Sequence, residues 1–124
     1  AGVRRIYSTP PTHGARVVAK VLGDARLLAS WTQETAGMRI RIRAMREQLH
    51  AALHETFRGE RDFGYLLSQR GMFSYTGLNE SQVDRLREQH AVYLVRSGRL
   101  CISGLNNANV EAVAAAMAEV IRSA

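Results

Sequence analysis

Gly71-Met72-Phe73-Ser74-Tyr75-Thr76-Gly77-Leu78-Asn79-Glu80-Ser81-Gln82-Val83 changes its pattern partway along. Met72 to Tyr75 reads as a short strand-like run. From Leu78 the signals are those of a helix start. Asn79 is the N-cap, Gln82 its reciprocal partner three residues on, and Leu78 with Val83 form the hydrophobic staple. A strand therefore feeds directly into a helix, which the pattern carries to about His90.

The flanking chain extends the same mixture. Downstream, Val92-Tyr93-Leu94-Val95 and Arg99-Leu100-Cys101-Ile102-Ser103 both alternate, with only Arg96-Ser97-Gly98 between them. That spacing predicts a tight hairpin, with Arg99, Cys101 and Ser103 on one face and Leu100 and Ile102 on the other. Asn106 then offers an N-cap, stapled by Leu105 and Val110, to a last helix with Val110, Val113, Met117, Val120 and Ile121 inward. Upstream, Gly59 to Asp62 is a polar break followed by the strand-like Tyr65-Leu66-Leu67. Before that break, Leu28, Trp31, Thr35, Met38, Ile42, Met45, Leu49, Ala52 and Thr56 recur at steps of three and four. This is one face of a long helix, although Met38 to Arg43 taken alone alternates like a strand. Arg39, Arg43 and Arg46 make a basic stripe on it, either an anion-binding surface or a solvated polar face. A shorter helix over Thr12 to Leu22 precedes it, closed by Gly23-Asp24. Tyr7-Ser8-Thr9-Pro10-Pro11 is extended, because two prolines exclude helix interior. The predicted class is α+β, a small sheet with a tight hairpin covered by helices that include one long one.

Composition narrows the function classes. The 124 residues are 46% hydrophobic and 23% charged, which suits one ordinary core and excludes a disordered tail. No apolar run is long enough to span a bilayer, and one cysteine, Cys101, cannot form an internal disulfide. A reducing cytoplasm fits best. The net charge of +6 comes from seventeen basic residues, of which only Lys20 is a lysine. Such a balance can mark a stand-alone module for an anionic partner such as nucleic acid. The arginines are dispersed, however, and aromatics make up 6% of the chain, so the pattern favours solvated faces over a groove binder.

Few residues carry chemistry by type and spacing. His50 and His54 lie four apart on one helix face but have no evident third metal ligand. His13 and His90 sit at element ends, and Cys101 reads as a small core residue. Lys20 lies mid-helix with no partner for a cofactor ring nitrogen. Arg99 starts an otherwise apolar strand just after a Ser-Gly turn. A guanidinium held on a rigid strand suits two-point capture of a carboxylate, and the competing reading is an ordinary strand-end arginine in solvent.

Three segments in this order and spacing carry a family resemblance. They are Arg4-Arg5-Ile6-Tyr7-Ser8-Thr9-Pro10-Pro11-Thr12-His13-Gly14-Ala15, Gly71 to Leu78, and Ser97-Gly98-Arg99-Leu100-Cys101-Ile102-Ser103-Gly104. Together they resemble the C-terminal part of a class I aminotransferase of the aspartate and aromatic amino-acid type. The resemblance implies the small domain of a fold-type I, pyridoxal 5'-phosphate-dependent, homodimeric enzyme that moves an amino group between an amino acid and a 2-oxo acid such as 2-oxoglutarate. It implies that Arg99 binds the substrate α-carboxylate and that Phe73 lines the substrate side. Arg4 would reach across the dimer to a distal carboxylate, with Arg5 the alternative, and Ser8 would help position it. It further implies that residues 1–11 lead in from a large cofactor-binding domain and that residues 12–124 form the C-terminal small domain. The catalytic lysine would lie in that large domain, so the fragment alone is expected to be inactive, with its docking surface exposed.

Overall fold

A computed structural model describes residues 11–123. In chain order they form α1 (His13–Gly23), α2 (Ala25–Phe57), the single turn α3 (Tyr65–Ser68), β1 (Phe73–Tyr75), α4 (Glu80–His90), β2 (Arg99–Cys101), a 3-10 turn over Ile102–Gly104, and α5 (Val110–Arg122). The chain divides into two compact units, residues 1–38 and 39–124. Of the expected lead-in segment, Pro11 alone falls among the described residues, and Arg4, Arg5 and Ser8 lie outside them. No helix among the described residues is long and apolar enough to cross a membrane.

In the first unit, Asp24 is the joint between helices. It ends α1 in an extended conformation, and its Oδ1 accepts from the N–H groups of Arg26 and Leu27 at 3.0 and 3.2 Å, capping α2. α1 buries no residue. Val17, Val18 and Leu22 are more than one third exposed, as are Leu28, Trp31 and Met38 on the first half of α2.

The second unit holds the core. Met45, Leu49, Leu53 and Phe57 of α2 are buried with Phe63 and Leu66, Leu78, Val83 and Leu86 of α4, Leu100 and Ile102, and the apolar face of α5. α2 confirms the helical period over the local Met38–Arg43 alternation. In the last two turns Leu53 and Phe57 enter the core, while the expected Ala52 and Thr56 are only partly buried, Ala52 packed against the core's edge. The larger side chains capture the interior, because burying a leucine or phenylalanine gains about 1.5–3 kcal/mol.

The capping box is formed as the sequence predicts. Asn79 Oδ1 accepts from Gln82 N–H at 2.9 Å, and Gln82 Oε1 accepts from Asn79 N–H at 3.0 Å. Leu78 and Val83 are both buried. Helix α4 ends at Ala91, which holds a left-handed φ of 53° and is exposed. On the final helix all five expected residues point inward. Its cap differs: Val110 is the first helical residue and Asn109 the cap. Asn106 Oδ1 instead accepts from Ala108 and Asn109 N–H, closing the turn before it.

Two expected strands are not strands. Tyr65–Ser68 is a helical turn, and the run Val92–Val95 contributes only an isolated bridge from Val95 to Arg99. There is no 92–103 hairpin. The sheet instead pairs β1 with β2 antiparallel, with Phe73 opposite Cys101, Ser74 opposite Leu100 and Tyr75 opposite Arg99. Gly98 makes this pairing possible. It has φ of 84°, and a Cβ there would meet the Leu78 carbonyl oxygen at 2.8 Å. Its own carbonyl accepts from Thr76 N–H at 2.9 Å and Thr76 Oγ1 at 2.8 Å, which seats β2 against β1.

The ends of α4 supply two opposed tests by chemical denaturation. Asn79→Ala is expected to cost about 1 kcal/mol through the lost cap. Ala91→Gly is expected to raise stability by about 0.4–1 kcal/mol, because glycine tolerates positive φ that alanine resists. Asp84 on the same helix gives a pH signature. The hydrogen bond from Arg96, with the charges of Arg96 and Arg87 adding, holds its carboxyl below the usual carboxylate range. A depressed native pKa stabilises the fold above the unfolded value near 3.9, and that gain fades as pH falls through the lower native value. Asp84→Asn should flatten this acid limb in denaturation curves collected between about pH 2 and 5.

Candidate functional site

The β1–β2 pairing places Phe73 and Tyr75 on the same sheet face as Arg99 and Cys101, because alternate residues share a side. The opposite face carries Ser74 and Leu100, both buried. Diagonal neighbours across a strand pair lie within reach of long side chains. The Arg99 guanidinium accordingly lies over the Phe73 ring, 4.7 Å from its centroid. Both residues are exposed, Phe73 at 43%. Arg99 has no acidic partner within salt-bridge distance among the described residues. Its cation therefore rests on an aromatic face with donors free for an incoming anion. The structure brings together Arg99 and Phe73, which the sequence singled out separately.

The turn before β2 is anchored by charge. Arg96 donates to Asp84 Oδ2 at 2.8 Å and lies 3.4 Å from Glu80 Oε2, while Arg87 contacts Asp84 Oδ1 at 3.2 Å. These contacts tie the Arg96-Ser97-Gly98 turn to helix α4.

The other strand is anchored by Arg46, which the basic-stripe reading placed on a solvated or anion-binding face with Arg39 and Arg43. Arg46 is buried, at 5% exposure. It donates to the carbonyls of Phe73 at 2.7 Å, Gly71 at 2.8 Å and Leu66 at 3.1 Å, and to Ser74 Oγ at 3.1 Å. Burial, with the Arg70 charge adding, pushes its pKa below the ordinary arginine value. Ser74 Oγ is also 2.6 Å from Gln69 Oε1, which accepts the Tyr75 N–H at 2.8 Å, and Gln69 Nε2 donates to the Tyr75 carbonyl at 3.3 Å. The signal for Arg46 was present in the sequence: Leu49, Leu53 and Phe57 follow it at three, seven and eleven residues, on the face that becomes core. Arg39 and Arg43 are exposed, and Arg43 pairs with Glu47 at 3.0 Å.

Other candidates resolve into structural roles. His50 and His54 stack with ring centroids 5.8 Å apart, and no group of three or more metal-ligating residues occurs among the described residues. His90 Nε2 is 3.7 Å from Glu119 and makes no hydrogen bond. Cys101 is half-buried rather than a core residue, with Sγ 3.1 Å from Ser103 Oγ. Lys20 is 74% exposed and 3.9 Å from Asp24. It lies in no cradle that could hold pyridoxal phosphate. The described residues therefore do not by themselves fit that cofactor. An open cleft of about 530 Å³ lies beside α5, lined by His90, Tyr93, Leu100, Cys101, Val113 and Ala116 among others. Neither Arg99 nor Phe73 lines it.

Comparison with known proteins identifies the family. The chain is 60% identical over 121 residues to an aromatic-amino-acid aminotransferase of Escherichia coli, covering 98% of this chain and 30% of that protein. It superposes with a TM-score of 0.90 and 47% identity on an aromatic amino acid aminotransferase of Psychrobacter sp. B6 cocrystallised with aspartic acid, covering 97% of this chain and 30% of that one. An aromatic-amino-acid aminotransferase of Burkholderia pseudomallei covalently bound to pyridoxal phosphate gives 0.87 and 52%, covering 95% of this chain and 29% of that one. The chain thus spans about 30% of the length of the relatives it matches. The family model for aminotransferase class I and II matches residues 1–117, and the chain belongs to that family.

Proposed function

We propose that this chain is the substrate-facing small domain of an aminotransferase of the aspartate and aromatic amino-acid type. That enzyme would move an amino group between such an amino acid and 2-oxoglutarate. The observation that carries the reading is the Arg99 guanidinium on the Phe73 ring, exposed and free of any acidic partner among the described residues. An α-carboxylate is the one group common to every amino acid and 2-oxo acid substrate. A planar guanidinium offers it two parallel hydrogen bonds and so fixes its orientation as well as its position. The ring holds the guanidinium plane in place before the substrate arrives, which lowers the cost of ordering it on binding.

The remainder of the site belongs to this proposal. Arg4 would take the distal carboxylate of a dicarboxylic substrate across a homodimer, with Ser8 positioning it, and residues 1–11 would lead in from the large domain. Pyridoxal phosphate and its attachment lysine would be supplied by that domain, in a cytoplasmic enzyme. The small domain would cover the substrate and exclude water. A stand-alone nucleic-acid module is not favoured. Buried Arg46, and Arg41 through its bonds to the Leu105 and Ser103 carbonyls, serve the fold rather than a groove-binding surface.

Substrate kinetics on the full-length enzyme test the assignments. Arg99→Ala should lower kcat/KM for every amino acid alike. Arg4→Ala should penalise aspartate far more than phenylalanine or tyrosine, and equal losses in the two classes would refute its role. Phe73→Leu removes the aromatic face and keeps an apolar side chain. A two- to fivefold rise in KM, about the worth of an exposed cation–π contact, is expected for all substrates.

A further inference from the structure

The backbone of β1 has two edges. Ile102 N–H donates to the Met72 carbonyl at 2.8 Å and Thr76 N–H to the Gly98 carbonyl at 2.9 Å, so residues 72, 74 and 76 face β2. The peptide groups of Phe73 and Tyr75 therefore point to the outer edge, where no strand lies among the described residues. Side chains occupy that edge instead. Arg46 takes the Phe73 carbonyl, and Gln69 takes both the N–H and the carbonyl of Tyr75. Ser74 Oγ joins the two, bonded to each.

We infer that Arg46, with Gln69 and Ser74, acts as a positioning device for Arg99: it fixes the β1 backbone beneath Phe73, and Phe73 fixes the guanidinium that receives the substrate carboxylate. The inference rests on the proposed role of Arg99 and adds a residue that touches neither substrate nor Arg99. The geometry favours this over a purely local role. The shortest of the four Arg46 bonds, 2.7 Å, goes to the carbonyl of Phe73, the residue under Arg99. Arg46 also holds both sides of that residue, Gly71 and Ser74, so the segment 71–74 is clamped at three successive points. A strand of three residues paired on one side only would otherwise leave its aromatic free to tilt.

The test is a double-mutant cycle on the full-length enzyme, read as kcat/KM for L-phenylalanine and L-aspartate. If Arg46 acts through Arg99, Arg46→Met should lower kcat/KM roughly tenfold for both substrates, with most of the loss in KM, and less than about twofold once Arg99 is already alanine. A loss of equal size in both backgrounds overturns the inference and leaves Arg46 a stability residue. So does a variant with lower Tm and unchanged KM. If Arg99→Ala alone leaves KM unchanged, the proposed function fails first and this inference with it, which separates the two failures. Should Arg46→Met not yield folded protein, Ser74→Ala replaces it, since it removes one Arg46 contact with little change of volume. A KM increase with Ser74→Ala that vanishes in the Arg99→Ala background supports the device. No increase, or one that persists there, overturns it.

Discussion

A guanidinium without a carboxylate partner sits inside this domain, and the placement of β1 depends on it. Burying an unpaired charge is costly unless its donors are all met and nearby dipoles oppose the charge. Arg46 goes far toward that condition: its two terminal nitrogens donate to three backbone carbonyls and one hydroxyl, drawn from α3, the turn after it and β1. Arginine stays charged in proteins, so these groups must remain arranged around it whenever the domain is folded. Between α3 and β1, residues 69–72 have no regular structure of their own. Arg46 binds carbonyls before, within and after that stretch.

The same use of arginine recurs across the molecule and accounts for part of its basic composition. Arg41 donates to the carbonyls of Leu105 and Ser103, Arg70 to those of Leu67 and Ser68, and Arg122 to that of Thr56. Loop and helix-end carbonyls have no partner in regular structure, and a five-donor fork satisfies several at once. Lysine, a point charge on a flexible stem, serves this poorly, which fits the near-absence of lysine from the chain. Arg99 is the contrasting case, placed on an aromatic ring rather than among carbonyls.

What the sequence made legible were features governed by short-range rules. The Asn79–Gln82 box, the Leu78–Val83 staple and the inward face of α5 all depend on spacings of a few residues. The misread hairpin shows the limit. Val92–Val95 and Arg99–Ser103 alternate as well as any pair of strands, but β2 pairs with β1, some twenty-five residues earlier in the chain. Two ends decide that choice, Thr76 holding the Gly98 carbonyl and Ile102 donating to Met72, and neither is a local pattern. Tyr65–Ser68 is a helical turn closed by its own bonds to the Phe63, Gly64 and Tyr65 carbonyls, started where Asp62 Oδ1 accepts the Gly64 N–H, and its Leu66 carbonyl accepts from Arg46 across the fold. Arg99 and Phe73 were legible as separate residues, and the family resemblance gave each a role. That one stacks on the other follows only from the β1–β2 register. Arg46 was read as surface because its type outweighed its phase on the helix.

The direct measurement is a crystal structure of the full-length enzyme with a bound amino acid substrate or an unreactive carboxylate analogue. The account predicts the α-carboxylate in two-point contact with Arg99, the guanidinium still lying on Phe73, and the four Arg46 contacts unchanged. A carboxylate held by other residues, with Arg99 turned to solvent, would contradict it.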